Sequence, residues 1–307
     1  MDRSTRTPFA PALALVAFVL AACGSKTAPP PQTARTQPVE APEEGAGLEQ
    51  TTSRIESFDV GSSDGPVARA TFETSTGAIA PGVSFLVAAH FEIADGYRLS
   101  WINPGDMGEQ IAIEFGVPEG FEVSTPMFPG PERFELPDGY VSYGYADETA
   151  VFAEVRVPPN VVPNEVYRFE LSAQWLACRG TCVKEATNAF FEIVATADPV
   201  EQGFEGALQA LLGHVPQPLS ALDQASLEWR ETGTLAITAA GVTWKDYFPA
   251  SASQPAAEQV AFGRGGHEML LRFAQAQPGA AVQGVLLAEV DGQQRYVALD
   301  EHLPAGR

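Results

Sequence analysis

YRFELSAQWLACRGTCVKE, residues 167–185, alternates apolar and polar side chains as far as two cysteines that stand four positions apart around a glycine. Tyr167, Phe169, Leu171, Ala173 and Trp175 share one face of an extended chain, and Arg168, Glu170, Ser172 and Gln174 share the other. This is the period-two signature of a half-buried strand. Fully extended, residues four apart lie roughly 13 Å from each other, well beyond the Cα separation of about 4.4–6.8 Å that a disulfide tolerates. For Cys178 and Cys182 to meet, the chain must reverse between them. Arg179-Gly180-Thr181 suits a three-residue hairpin loop, with the glycine at positive φ and the cysteines opposite each other on neighbouring strands.

The same alternation recurs in Val83-Phe85-Val87-Ala89-Phe91-Ile93, and further strands are expected at 67–74, 111–116, 151–157 and 189–193. Turn signals separate them at Asn103-Pro104-Gly105-Asp106, Pro118-Glu119-Gly120 and Pro158-Pro159-Asn160. Short strands at this spacing predict an all-β chain built around a β-sandwich. Around 201–213 the period changes: Phe204, Leu208 and Leu211 or Leu212 fall on one helical face, and Gly213 stops it. Beyond this short helix, strands are expected again at 226–239, 268–274, 281–290 and 295–299, forming a second, smaller β domain with a long connection at 244–266. The GRGG at 263–266 lacks a phosphate-loop context and reads as a turn.

The N-terminus has a different character. Arg3 and Arg6 precede an apolar run from about Phe9 to Ala22, too short to span a bilayer, and Leu20-Ala21-Ala22-Cys23 resembles a bacterial lipobox. The expected organisation is a lipoprotein signal peptide at 1–22, a lipidated Cys23 opening a flexible Pro/Ala/Glu-rich tether at 23–65, a sandwich at 66–197, and the helix with the second β domain at 198–307. Gly24 after the cysteine resembles lipoproteins that move on to the outer membrane. The formal charge of -21 argues against nucleic acid or anionic lipid as the main partner, because both would repel it.

With Cys23 assigned to lipid, Cys178 and Cys182 remain of the three cysteines, and an exported chain meets an oxidising compartment. Three readings are open. A disulfide across so small a loop restrains the unfolded chain little, so it makes a poor staple. Two thiolates are too few for a closed zinc site, and His90, His214, His267 and His302 show no ligand spacing, although copper(I) accepts two soft ligands. For redox exchange, Arg179 and Lys184 favour the attacking thiolate.

Four ordered stretches carry a family resemblance: Trp101–Gly108 (WINPGDMG), Phe128–Phe134 (FPGPERF), Tyr143-Gly144-Tyr145, and Trp175-Leu176-Ala177-Cys178 with Cys182. Through them residues 82–193 resemble the N-terminal periplasmic domain of the thiol:disulfide interchange protein DsbD, particularly in the branch of the suppressor-of-copper-sensitivity protein ScsB. The resemblance implies an immunoglobulin-like fold and a catalytic pair, Cys178 and Cys182, needing no cofactor or metal. The pair would take electrons from a membrane-embedded thiol channel and pass them to thioredoxin-like or other disulfide-containing periplasmic clients, with Cys182 meeting the partner. It further implies an aromatic cap over the sulfurs, matched by Tyr143 and Tyr145 with Tyr140 beside them, and supporting positions at Asn103, Asp106 and Trp175.

Two departures bear on the site. Where the family often has His-Thr-Tyr-Trp this chain has Arg98-Leu99-Ser100-Trp101, and Lys184 stands where a proline is common. The family's full-length members continue into membrane helices and a thioredoxin-like domain, and the sequence ends at Arg307 with neither, so the expected electron source is another protein. The competing functions are a lipid-anchored exchange module, a non-catalytic assembly lipoprotein with a structural disulfide, and a copper(I)-handling protein. Replacing Cys23 with alanine is expected to release the chain from membranes; unchanged fractionation of that variant would remove the lipid anchor.

Overall fold

The computed structural model describes residues 54–56, 65–198, 200, 203–230, 233–250, 257, 259–273 and 279–304. The expected signal peptide and the expected lipidation site at Cys23 lie outside the described residues. So does most of the expected tether, but Arg54–Glu56 within it is a strand that pairs antiparallel with Phe190, Ala189 and Asn188. Backbone donors and acceptors on an open sheet edge accept such an addition without any side-chain pattern, which is why composition alone read the segment as tether.

An immunoglobulin-like sandwich holds the cysteines. Its larger sheet runs, in spatial order, Arg54–Glu56, Thr181–Ala195, Val166–Arg179, Arg98–Gly105, Val141–Tyr145 and Glu132–Glu135, with Ala78–Ile79 and Ala112–Gly116 pairing alongside. The facing sheet runs Ala68–Thr74, Ser84–Ile93, Glu148–Arg156 and Glu122–Val123. Between them lies an aromatic core. Phe169 stacks on Phe191 at 5.0 Å, Phe91 meets Trp175 edge-on at 5.2 Å, and Phe72 packs against both Phe115 and Phe191. These are the odd-numbered positions of the alternating stretches, brought inward together.

The smaller sheet is buried on both faces. Ala88, Ala150 and Phe152 point away from the sandwich core and are covered by Phe204 and Leu208, the latter on the helix Gly206–Leu212. The burial of Thr149–Ala153 as a continuous run follows from this cover.

The second β unit contains two four-stranded sheets. One comprises Gln217–Pro218, Gln293–His302, Ala281–Val290 and Val242–Pro249; the other comprises Ser226–Arg230, Thr234–Thr238, Glu268–Arg272 and Gln259–Phe262. Leu235, Ile237, Trp244, Met269, Leu271 and Leu286 fill the space between them. The expected connection at 244–266 is therefore wrong: it contains most of the strand Val242–Pro249 and all of Gln259–Phe262. The physical reason is an irregularity between Trp244 and Asp246, which breaks the alternation and leaves the adjacent Tyr247 and Phe248 both buried. Arg98–Gly105 escaped notice for a related reason, since its Asn-Pro-Gly end reads as a turn and its pairing shifts between Ser100 and Gly105.

One buried carboxylate joins the two sheets of the sandwich. Glu185, 6% exposed, accepts hydrogen bonds from the backbone N–H groups of Val67 (2.8 Å) and Ala68 (2.9 Å) and from Trp175 Nε1 (3.0 Å). Glu185 stands opposite Trp175 in the long hairpin, three rungs from the cysteine pair. A Glu185→Leu variant would leave these donors without an acceptor, each costing about 1–3 kcal/mol. The expected loss is about 3 kcal/mol in urea unfolding, and an unchanged midpoint would show that water replaces the carboxylate.

Candidate functional site

The hairpin Val166–Arg179 and Thr181–Ala195 pairs without interruption from Val166↔Val194 to Arg179↔Thr181, and this register places Cys178 directly opposite Cys182. Gly180 makes the reversal at φ 73°, a conformation other residues rarely adopt. The Cys178–Cys182 disulfide spans a Cα separation of 4.0 Å. Cys178 is half-buried and Cys182 exposed.

Beside the disulfide lies a pocket of about 610 Å³. Its walls come from three neighbouring segments: Gly96 and Arg98–Ser100, the turn and strands from Phe134 to Gly144, and the hairpin tip with both cysteines. Tyr140 and Tyr143 line it, as do Met107, Phe134, Leu136 and Pro137. Tyr140 and Met107 are each 51% exposed, large apolar groups left in water at the rim.

The other expected supporting residues are placed elsewhere. Tyr145 is 5% exposed and donates its hydroxyl to the Pro129 carbonyl oxygen at 2.7 Å; burial raises its pKa, keeping the phenol neutral. Trp175 is in the sandwich core on Glu185. Asp106 accepts from the Val141 N–H at 2.8 Å and holds the start of the strand Val141–Tyr145. Asn103 donates Nδ2 to the Pro249 carbonyl oxygen at 2.6 Å, reaching the second β unit. Gly144, between the tyrosines, has no room for a Cβ, which would overlap the Leu99 carbonyl oxygen.

The cations around the sulfurs differ from the sequence expectation. Arg179 turns aside, donating Nη1 to the Asp95 carbonyl oxygen at 3.3 Å with its guanidinium 4.5 Å from the centre of the Tyr97 ring. Lys184 lies 4.0 Å from Glu109 at the surface. In the strand register it is Arg98 that stands opposite Cys178, and its guanidinium lies 4.1 Å over the Phe134 ring. Arg98 was noted in the sequence only as a departure from a family pattern, because strand pairing between distant segments leaves no local signal.

The histidines lie away from this pocket. His90 sits between Glu73 and Glu148, His214 packs on Tyr296, and His267 Nδ1 is 2.9 Å from the Val242 carbonyl oxygen. Among the described residues no group of three or more His, Cys, Asp or Glu is arranged to hold a metal ion.

With the paired cysteines and their pocket located, the family likeness can be stated. Residues 67–192 match the family described as "Thiol:disulfide interchange protein DsbD, N-terminal". That segment, less than half of the chain, is similar to DsbD N-terminal domains. Among solved structures, the N-terminal periplasmic domain of ScsB from Proteus mirabilis resembles this chain with a TM-score of 0.53 at 16% identity, covering 80% of this chain and 97% of that one. At that identity the likeness speaks for the fold, and its coverage extends past residues 67–192 into the second β unit. The sporulation control protein Spo0M from Bacillus subtilis aligns over 77% of this chain and 91% of its own at 10% identity, but a TM-score of 0.23 carries no argument. No curated protein matches the chain.

The unequal exposure of the two cysteine residues leads to a prediction. In the reduced protein Cys182 is expected to alkylate at least about threefold faster than Cys178, because reactivity requires access as well as thiolate. Equal rates in the two single-cysteine variants would contradict it.

Proposed function

We propose that this chain is a periplasmic, lipid-anchored thiol-disulfide exchange module that passes reducing equivalents through Cys178 and Cys182 to or from partner proteins. The observation that carries the reading is the cross-strand disulfide at the tip of the hairpin, open to an apolar-rimmed pocket, within a segment similar to DsbD N-terminal domains. A bridge closing a loop this short contributes little as a staple.

In the reducing direction the Cys182 thiolate attacks one sulfur of a client disulfide. The client's other sulfur leaves as a thiolate and a mixed disulfide forms. The Cys178 thiolate then attacks Cys182 Sγ, closing the intramolecular disulfide and releasing the second client sulfur as a thiolate, so two electrons have moved from the pair to the client. Recharging reverses these steps with a dithiol donor, for which a membrane-embedded thiol channel is the proposed source. Thioredoxin-like proteins and other disulfide-containing periplasmic proteins are the proposed clients. Anchoring through Cys23 would hold the module at a membrane, the outer one by the Gly24 pattern.

Equilibration with glutathione should give a reduction potential above about -300 mV, the level below which structural disulfides typically sit. Cys178→Ala should also trap a partner covalently on Cys182. A potential well below that level, with no trapped partner in either single-cysteine variant, would make the disulfide structural.

A further inference from the structure

We propose that the second β unit braces the ribbon that walls the pocket beside the cysteine pair, and that Arg133 and Asp246 are the positioning residues that hold this brace shut. The purpose of the brace rests on the exchange reading above; its geometry does not.

The pocket wall is a two-stranded ribbon, Glu132–Glu135 with Val141–Tyr145, joined by the turn Pro137–Gly139. It stands at the edge of the sandwich. Glu132–Glu135 is the last strand of its sheet, and Val141–Tyr145 pairs with Arg98–Gly105 at Leu99↔Tyr145, Ser100↔Gly144 and, after a shift, Gly105↔Ser142, with Asp106 bonded to both the N–H and the carbonyl of Val141. A shifted, three-pair ladder on an edge ribbon depends on side-chain contacts as well as on backbone pairing to hold it.

The second β unit supplies what the ladder lacks. Arg133 and Tyr143 stand opposite each other on one face of the ribbon, with Phe134 and Ser142 paired on the other. Arg133 donates Nε and Nη2 to the two carboxylate oxygens of Asp246, both at 2.7 Å, and Nη2 also donates to the Tyr247 carbonyl oxygen at 3.2 Å. This fork-to-fork geometry fixes direction as well as distance. Phe248, 1% exposed, meets Tyr143 edge-on at 5.6 Å and Trp101 at 6.4 Å. Asn103 holds the next residue through the Pro249 carbonyl oxygen. The run Asp246–Pro249 is thus gripped by Trp101, Asn103, Arg133 and Tyr143, and all four lie in the stretches that carry the family resemblance outside the cysteine motif.

The brace predicts a kinetic effect at a distance from any reacting atom. A reduced pair stays reduced in an oxidising compartment only if small oxidants reach it slowly, so loosening the ribbon should speed attack on the half-buried Cys178 without unfolding the protein. The test alkylates the reduced full-length protein with iodoacetamide and follows Cys178 and Cys182 by peptide mapping. Asp246→Asn and Arg133→Gln are each expected to raise the rate about twofold to fivefold, the range in which a partly exposed charge pair acts. The exchanged pair, Arg133→Asp with Asp246→Arg, is expected to return it towards the wild-type rate. Phe248→Leu keeps an apolar side chain in the core, loses the edge contact with Tyr143, and should also accelerate; it serves if a charge variant fails to fold. Wild-type rates in every folded variant, or acceleration that the exchanged pair does not reverse, would overturn the proposal. Partner trapping on the same variants separates the two readings: acceleration without any trapped partner upholds the brace and sinks the exchange reading.

Discussion

The register of one hairpin governs the site. Because side chains alternate faces along a strand, a slip of one residue between Val166–Arg179 and Thr181–Ala195 would turn Phe169, Leu171 and Trp175 out of the core and separate Cys178 from Cys182. The same apolar positions that build the sandwich therefore hold the disulfide in place. Stability and chemistry share a single constraint, enforced along the whole ladder and not only at the two sulfurs.

Glu185 shows how tightly that constraint is tied to the rest of the fold. Its carboxylate serves two backbone N–H groups at the entry to Ala68–Thr74 and the indole of Trp175, so the smaller sheet is attached to the hairpin through a buried, fully engaged polar group. Burying a charge is costly unless hydrogen bonds offset it, and here they also tie the sheets in one relative position. The tip, by contrast, projects into water, with Cys182 exposed and an apolar rim at Met107 and Tyr140.

Parts of this arrangement were legible in the residues and parts were not. The three-residue reversal at Arg179-Gly180-Thr181 follows from the cysteine spacing and the glycine, and the structure has it with Gly180 at positive φ. The strands with clean alternation, Ser84–Ile93 and Val166–Arg179, were readable because one face of each meets the core. Arg98–Gly105 and Val242–Pro249 were not, since both carry a shift in pairing that destroys the period. Tyr140 and Tyr143 line the cysteine pocket while Tyr145, two residues on from Tyr143, is buried on Pro129. Spacing separates neither case, because which face of the ribbon meets the second β unit depends on a partner segment a hundred residues away.

The sequence by itself determined the all-β class, the cysteine hairpin and the family resemblance of residues 82–193, because these rest on local period, turn chemistry and contiguous motifs. Only the tertiary structure decided that Arg98 stands opposite Cys178, that Glu185 links the two sheets, and that Arg133 meets Asp246 across the junction with the second β unit. Each of these joins segments far apart in the chain. Such contacts are selected by the packing of complete sheets and leave no trace in the spacing of neighbouring residues.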